Sequence, residues 1–164
     1  MLCVYFVYMH VSDKNHYTRA FPFPFSLTQV TSLQGYDWIG WSNDSIPVRA
    51  NGGLVEMTFR FDAVRNFSSA RLRANNVLSR DVAVFRRALP FVSVDGRSYA
   101  SLDPVDTQGA GRDASASVRD VVLPLVGAVG RFIRLRLEFA AHWMLISEVE
   151  FTSGLYQRIN CRIV

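Results

Sequence analysis

The sequence predicts an all-β fold, two antiparallel sheets packed face to face. Three observations predict it. Apolar and polar residues alternate at every step through several separate stretches, which is the period of a half-buried strand. Turn-forming residues recur between those stretches. No stretch sustains the 3.6-residue period of an amphipathic helix. Alternation leaves one face of each strand wet, and two antiparallel sheets with a shared core satisfy that.

The elements follow in order. Residues 1–32 read as an irregular arm apart from the domain. Phe21-Pro22-Phe23-Pro24-Phe25 sets its prolines too close for a central strand. Met1–Met9 is apolar and short, without the basic start or small-residue cleavage site of a signal peptide. The domain is placed at residues 33–152, with 153–164 as a tail. Within it Val55–Phe61, Ala70–Ala74 and Ile133–Phe139 alternate most clearly. Val118–Leu125, Leu145–Phe151 and the shorter Val82–Phe85 and Phe91–Val94 read as further strands. Asn51-Gly52-Gly53, Asp95-Gly96, Asp103-Pro104 and the Gly109–Asp113 stretch are the turns between them.

Composition bounds the rest. The chain has 164 residues, one domain's worth, and 49% of them are hydrophobic, enough for a core and against disorder. No run reaches the ~18 apolar residues that span a membrane. Cys3 and Cys161 stand near the two ends, outside any metal-ligand spacing, and no disulfide is expected. Lys14 is the single lysine among 18 basic residues, and the net charge is +4. Arginine forks match carboxylates, phosphates and sulfates. Were Arg71, Arg73, Arg86, Arg87, Arg134 and Arg136 aligned on one face, they would suit a glycosaminoglycan; otherwise they are solvated strand faces. No nucleic-acid motif accompanies them, so nucleic acid is not an expected partner.

Catalytic signatures are absent: there is no nucleophile elbow, zinc-protease helix or phosphate-binding loop. Of the histidines, His10 and His16 lie in the arm and His142 in a loop beside Trp143. Glu148 and Glu150 would share a strand face roughly 7 Å apart, a separation glycosidases use, yet one ligand and one surface charge is the better reading. Asp103, Asp106 and Asp113 fit turns better than a metal loop. Trp38, Trp41 and Trp143 fit core packing better than sugar stacking. Asn43-Asp44-Ser45 and Asn66-Phe67-Ser68 meet the N-glycosylation rule, making Asn43 and Asn66 candidate acceptors. The chain is expected not to be an enzyme.

Four stretches, in this order and spacing, carry a family resemblance. They are Gly35–Asn43 (GYDWIGWSN), Val55–Asp62 (VEMTFRFD), Asn75-Asn76 within LRANN, and Leu123–Phe151 (LPLVGAVGRFIRLRLEFAAHWMLISEVEF). Together they resemble the second extracellular, discoidin-like domain of the discoidin domain receptors, the collagen-activated receptor tyrosine kinases. The resemblance implies a jelly-roll β-sandwich of the galactose-binding-like class, on the extracellular side of the plasma membrane. It implies an adjacent discoidin domain as partner, collagen reached through the parent receptor, and a role in relaying ligand occupancy. It also implies a calcium ion, with Tyr36 and Trp38 contributing backbone carbonyls and Ser147 and Glu148 the other side. Half of that site comes from a segment preceding GYDWIGW, where this chain has its Phe/Pro arm, so the site is expected to be incomplete here. Alternatively Glu148 pairs with an arginine. A family disulfide maps to Val84 and Leu135, both apolar here. The expected function is therefore that of an ectodomain fragment of a receptor kinase; the alternative is a free-standing glycan-binding module. Loss of a first strand with the missing segment would leave an unpaired, aggregation-prone edge.

Overall fold

The structure is a computed structural model that describes residues 38–45, 54–107 and 117–155. The arm 1–32, Tyr36, both cysteines and the turns at 51–53 and 109–113 lie outside the described residues. Seven strands appear in the described part: β1 (Ile39–Ser42), β2 (Leu54–Asn76), β3 (Arg87–Ser93), β4 (Ala100–Ser101), β5 (Val105–Asp106), β6 (Ser117–Glu138) and β7 (Trp143–Leu155). All pairings between strands are antiparallel, in the order β1-β7-β2-β6-β3-β4, with β5 also on β3. The fold is the expected antiparallel jelly-roll β-sandwich, and no α-helix occurs among the described residues.

Two strands are far longer than predicted. Val55–Phe61 and Ala70–Ala74 are the ends of β2, and Val118–Leu125 and Ile133–Phe139 are parts of β6 and its exit. Each long strand serves both layers. In one layer, residues 54–60 of β2 pair with 132–138 of β6, which pair on with β3. In the other, residues 65–76 of β2 lie between β7 and residues 117–130 of β6, with β1 beyond β7.

The joints are irregularities that switch which side chains face inward. Along β2, Val55, Met57, Phe59, Phe61 and Phe67 are buried, then Ala70, Leu72 and Ala74. The phase changes where the register slips between Phe67 and Ser69 in both ladders: Ser68 is an extra residue against β7, while residues 125–127 of β6 stand opposite it on the other side. Along β6 the buried set is Val121, Leu123, Leu125, then Ala128, then Ile133, Leu135, Leu137. Its first switch is at Gly127, at φ +82°, with Val126 thrown out to 83% exposure. Gly130 allows a close crossing: a Cβ there would stand 2.6 Å from the Ser93 carbonyl oxygen and 2.5 Å from Val92 Cγ2.

The core lies between the layers. Phe59, Phe61, Phe67 and Phe151 form an aromatic knot, with Phe61 and Phe67 centroids 4.8 Å apart and Phe59 and Phe151 centroids 4.9 Å apart. Each such ring stabilises the fold by about 1.5–3 kcal/mol through burial. Val84 and Leu135, to which the resemblance assigns a family disulfide, both belong to this apolar core. Trp41 packs against it, while Trp38 and Trp143 cover a small second cluster of Val77, Val82 and Leu145.

Val82–Phe85 is not a strand. Val82 makes isolated bridges to Val77 and Trp143, and Ala83, Val84 and Phe85 are buried irregular backbone. Their apolarity answers to the core, and the Phe85 carbonyl accepts a hydrogen bond from the Thr107 hydroxyl. The GYDWIGWSN word supplies edge strand β1 and a 3-10 turn at Asn43–Ser45. At its far end β7 continues past residue 152, with Ser153 and Gly154 opposite Phe67 and Asn66. The Asp95-Gly96 turn forms as predicted. Asp95 Oδ1 accepts from the Arg97 and Ser98 amides at 2.8 and 3.0 Å and from the Ser93 hydroxyl. Those donors hold its carboxyl at a pKa of about 2.

Candidate functional site

One end of the β1-β7-β2 layer brings together residues far apart in the chain. β1 pairs Ile39 with Ile146, and one further step along that register sets Trp38 beside Ser147. On its other side β7 pairs Glu148 with Arg73 and Ile146 with Ala74, so Ser147 is an extra residue at a bulge. Among the described residues its buried hydroxyl oxygen has no hydrogen-bond partner, and neither have the two buried side-chain amide atoms of Asn75, one residue past Ala74. Such orphans are costly and call for an explanation. The carboxylate of Glu148 meets Arg73 Nη1 at 3.1 Å.

Of the implied calcium set, Trp38 and Ser147–Glu148 flank the Ile39–Ile146 pair, and Tyr36 lies outside the described residues. A hard cation takes six to eight oxygens. The buried Ser147 hydroxyl fits such a role, whereas Glu148 has an arginine as its partner. Among the described residues no three acidic, histidine or cysteine side chains gather where one metal ion could hold them.

The six arginines do not share one face. On the outside of the β7-β2-β6 layer, Arg71 bridges Glu150 and Asp120, and Arg73 bridges Asp120 and Glu148. Hydrogen bonding to Arg73 lowers the Asp120 carboxyl pKa, and hydrogen bonding to Glu150 raises that of the Arg71 guanidinium. Glu148 and Glu150 are therefore members of an ion-pair network, a role that accounts for both without a glycosidase pair.

On the outside of the β2-β6-β3 layer, Arg134 and Arg136 share Glu56, with Nε–Oε distances of 3.4 and 2.7 Å. Arg134 lies over the Tyr99 ring at 3.8 Å and Arg136 over Phe91 at 5.1 Å. At the margin, Arg86 pairs with Glu138 and Arg87 with Asp106, and these four line a hollow of about 460 Å³. Asp106 is thus an arginine partner, Asp103 is exposed, and Asp113 lies outside the described residues.

Asn43 is exposed in its turn, and Asn66 is exposed on β2 beside the Ser68 bulge. Beside Asn43 is a contact that sequence reading missed. Ser42 Oγ lies 3.3 Å from His142 Nε2, and His142 Nδ1 lies 3.7 Å from Asp44 Oδ2. The order is that of a serine–histidine–aspartate relay. The Asp44 side chain is 83% exposed, however, and a carboxylate in water lends an imidazole little. The contact clasps the β1 turn to the loop before β7, where the Asn43 amide also donates to the His142 carbonyl. Only the 100-residue separation in sequence hid it.

Comparison with known proteins gives three findings. The chain matches the family described as Discoidin domain-containing receptor 1/2, DS-like domain, over residues 23–153. It is similar to Epithelial discoidin domain-containing receptor 1 of Rattus norvegicus, 35% identical over 128 residues, and to its Homo sapiens counterpart, 34% identical over 128 residues. Each alignment covers 74% of this chain and 13% of the relative, so the chain spans a small part of those proteins. It is also 26% identical over 126 residues to Discoidin domain-containing receptor tyrosine kinase B of Caenorhabditis elegans, covering 73% of this chain and 14% of that protein. Among solved structures, the C-terminal domain of a chitobiase from Bacteroides fragilis superposes with a TM-score of 0.50 at 11% identity, over 63% of this chain and 66% of that one. That likeness is one of fold alone.

Proposed function

We propose, since the chain belongs to the DS-like domain family of the discoidin domain-containing receptors, that it serves as one module of a collagen-binding receptor tyrosine kinase. In that family the domain is extracellular and is not itself an enzyme. The observation that carries the reading is the family match across residues 23–153. In the proposed receptor the domain orients an adjacent discoidin domain, which reads collagen, and passes occupancy toward the membrane.

The layer-crossing strands support a mechanical role. β2 and β6 belong to both layers, so a displacement at one layer is carried covalently into the other. A packed core between them resists shear, because interiors close-packed to crystal-like density deform little. Asn43 and Asn66 are proposed glycan acceptors, both on the wet outer surface. Calcium is proposed at the β1–β7 end, held by Ser147, Glu148 and the backbone of Tyr36 and Trp38, and its charge would offset the orphaned Ser147 oxygen. The competing reading is a free-standing glycan-binding module; the arginine-and-aromatic face of the β2-β6-β3 layer is the feature that favours it.

The test is a chimera in which residues 23–155 replace the equivalent domain of the rat receptor, made in animal cells. The expected chimera reaches the cell surface, responds to collagen with tyrosine phosphorylation, and gains gel mobility after glycosidase treatment. A chimera that reaches the surface, binds collagen and stays silent would overturn the relay role.

A further inference from the structure

We propose that the outer face of the β2-β6-β3 layer docks a sulfated glycan, with Arg134 and Arg136 at its centre and Arg60 and Arg97 at its margin. The proposal names a ligand surface on the domain whose extracellular placement was argued above, and it rests on that placement.

Strand register builds the face. Glu56 stands opposite Arg136, which stands opposite Leu89; Thr58 stands opposite Arg134, which stands opposite Phe91. Arg60 follows opposite Phe132. The β3–β4 hairpin closes over this row, where a Cβ on Gly96 would come within 3.0 Å of the Phe132 ring. Arg97, the next residue, is exposed.

The central guanidiniums are held in place through Nε, with the Arg134 and Arg136 side chains 26% and 38% exposed. Arg136 is fixed through Nε to Glu56, and Arg134 through Nε to Thr58 Oγ1 at 3.3 Å and to Glu56. The rings of Tyr99 and Phe91 support the two groups from one side. Among the described residues, no hydrogen bond engages the Nη groups of either arginine. A guanidinium fork that is pinned at Nε and stacked on an aromatic loses little entropy when its Nη donors meet a tetrahedral oxyanion. Two such forks sit two residues apart on β6, roughly 7 Å along the strand, a repeat suited to a polyanion lying along the sheet.

Charge separates this face from its opposite. Here Arg134 and Arg136 share one carboxylate, Glu56, while Glu138 and Asp106 at the margin are taken up by Arg86 and Arg87. On the other layer Arg71 and Arg73 face Asp120, Glu148 and Glu150 and are neutralised. A bilayer would need several apolar side chains to insert, and the hairpin offers the exposed Val94. A sulfated sugar chain needs neither insertion nor a groove, and it is an abundant polyanion outside cells.

The test uses the full chain flowed over immobilised heparin at about 0.15 M salt, where exposed charges act over ~8 Å. The unaltered chain is expected to bind heparin and not chemically desulfated heparin. The double variant R134Q/R136Q is expected to bind at least ~10-fold more weakly, the scale of losing two charge-assisted contacts. R60Q and R97Q, exposed changes that leave the core untouched, should each weaken binding by a smaller factor. R80Q, on the exposed turn after β2, should bind within twofold of the unaltered chain. Binding that falls equally in R80Q, or that survives both R134Q/R136Q and the marginal changes, overturns the proposal. So does absence of heparin binding, or capture by phosphatidylserine vesicles in its place. A negative result here leaves the collagen-signalling chimera unaffected, and a silent chimera leaves heparin binding unaffected, so the two readings fail separately.

Discussion

Ser147 stands where β7 steps out of register, its hydroxyl buried and unpartnered among the described residues, next to a glutamate tied to Arg73. Half of this arrangement was legible. A charge inside the apolar word MLISEVEF had to have a partner, and the family pattern pointed to a cation. Its partner Arg73 was not legible, because the pairing is made by a β2–β7 register between residues 75 positions apart. The calcium proposal is decided at this scale. Calorimetric titration of the full chain with calcium should give saturable heat at or below millimolar concentration, and Glu148→Gln should abolish it. A flat titration of the unaltered, folded chain at millimolar calcium would leave Glu148 as an ion-pair residue only. Asn43 and Asn66 are both exposed, which a glycan acceptor requires.

At the scale of elements, alternation identified the ends of β2 and β6 but not their continuity. Period-2 patterning reports which side faces inward; it is reset at Ser68 and Gly127, and each reset looks in sequence like a loop. Val82–Phe85 misled for the opposite reason. A short apolar run is consistent with a buried strand and equally with buried irregular backbone. The crossing of β6 beneath the end of β3 depends on Gly130. Gly130→Ala must push Val92 and the Ser93 carbonyl aside, and overpacking of that kind costs about 1–3 kcal/mol. Gly154→Ala adds a methyl to open space and should lie within about 0.5 kcal/mol of the unaltered chain. Urea unfolding monitored by tryptophan fluorescence would check both. Equal midpoints for the two variants would mean that the close approach at Gly130 is not maintained in solution.

For the whole molecule, the sandwich was legible because alternation, turn chemistry and the lack of helical period all agree. Its two outer faces were not. Arg71 and Arg134 sit in similar alternating words, yet one is bridged to two carboxylates, Glu150 and Asp120, while the other shares the single Glu56 with Arg136. Face identity follows from which long strand, and which part of it, joins each layer. The same topology ties the two sheets together through β2 and β6, as the proposed role of transmitting ligand occupancy would require. If this domain works inside a receptor kinase, full-length transcripts sequenced across both ends of the region should carry a discoidin domain upstream and a transmembrane helix with a tyrosine kinase downstream. Transcripts in which this domain stands with neither would contradict it and turn the search toward glycan binding as the domain's whole function.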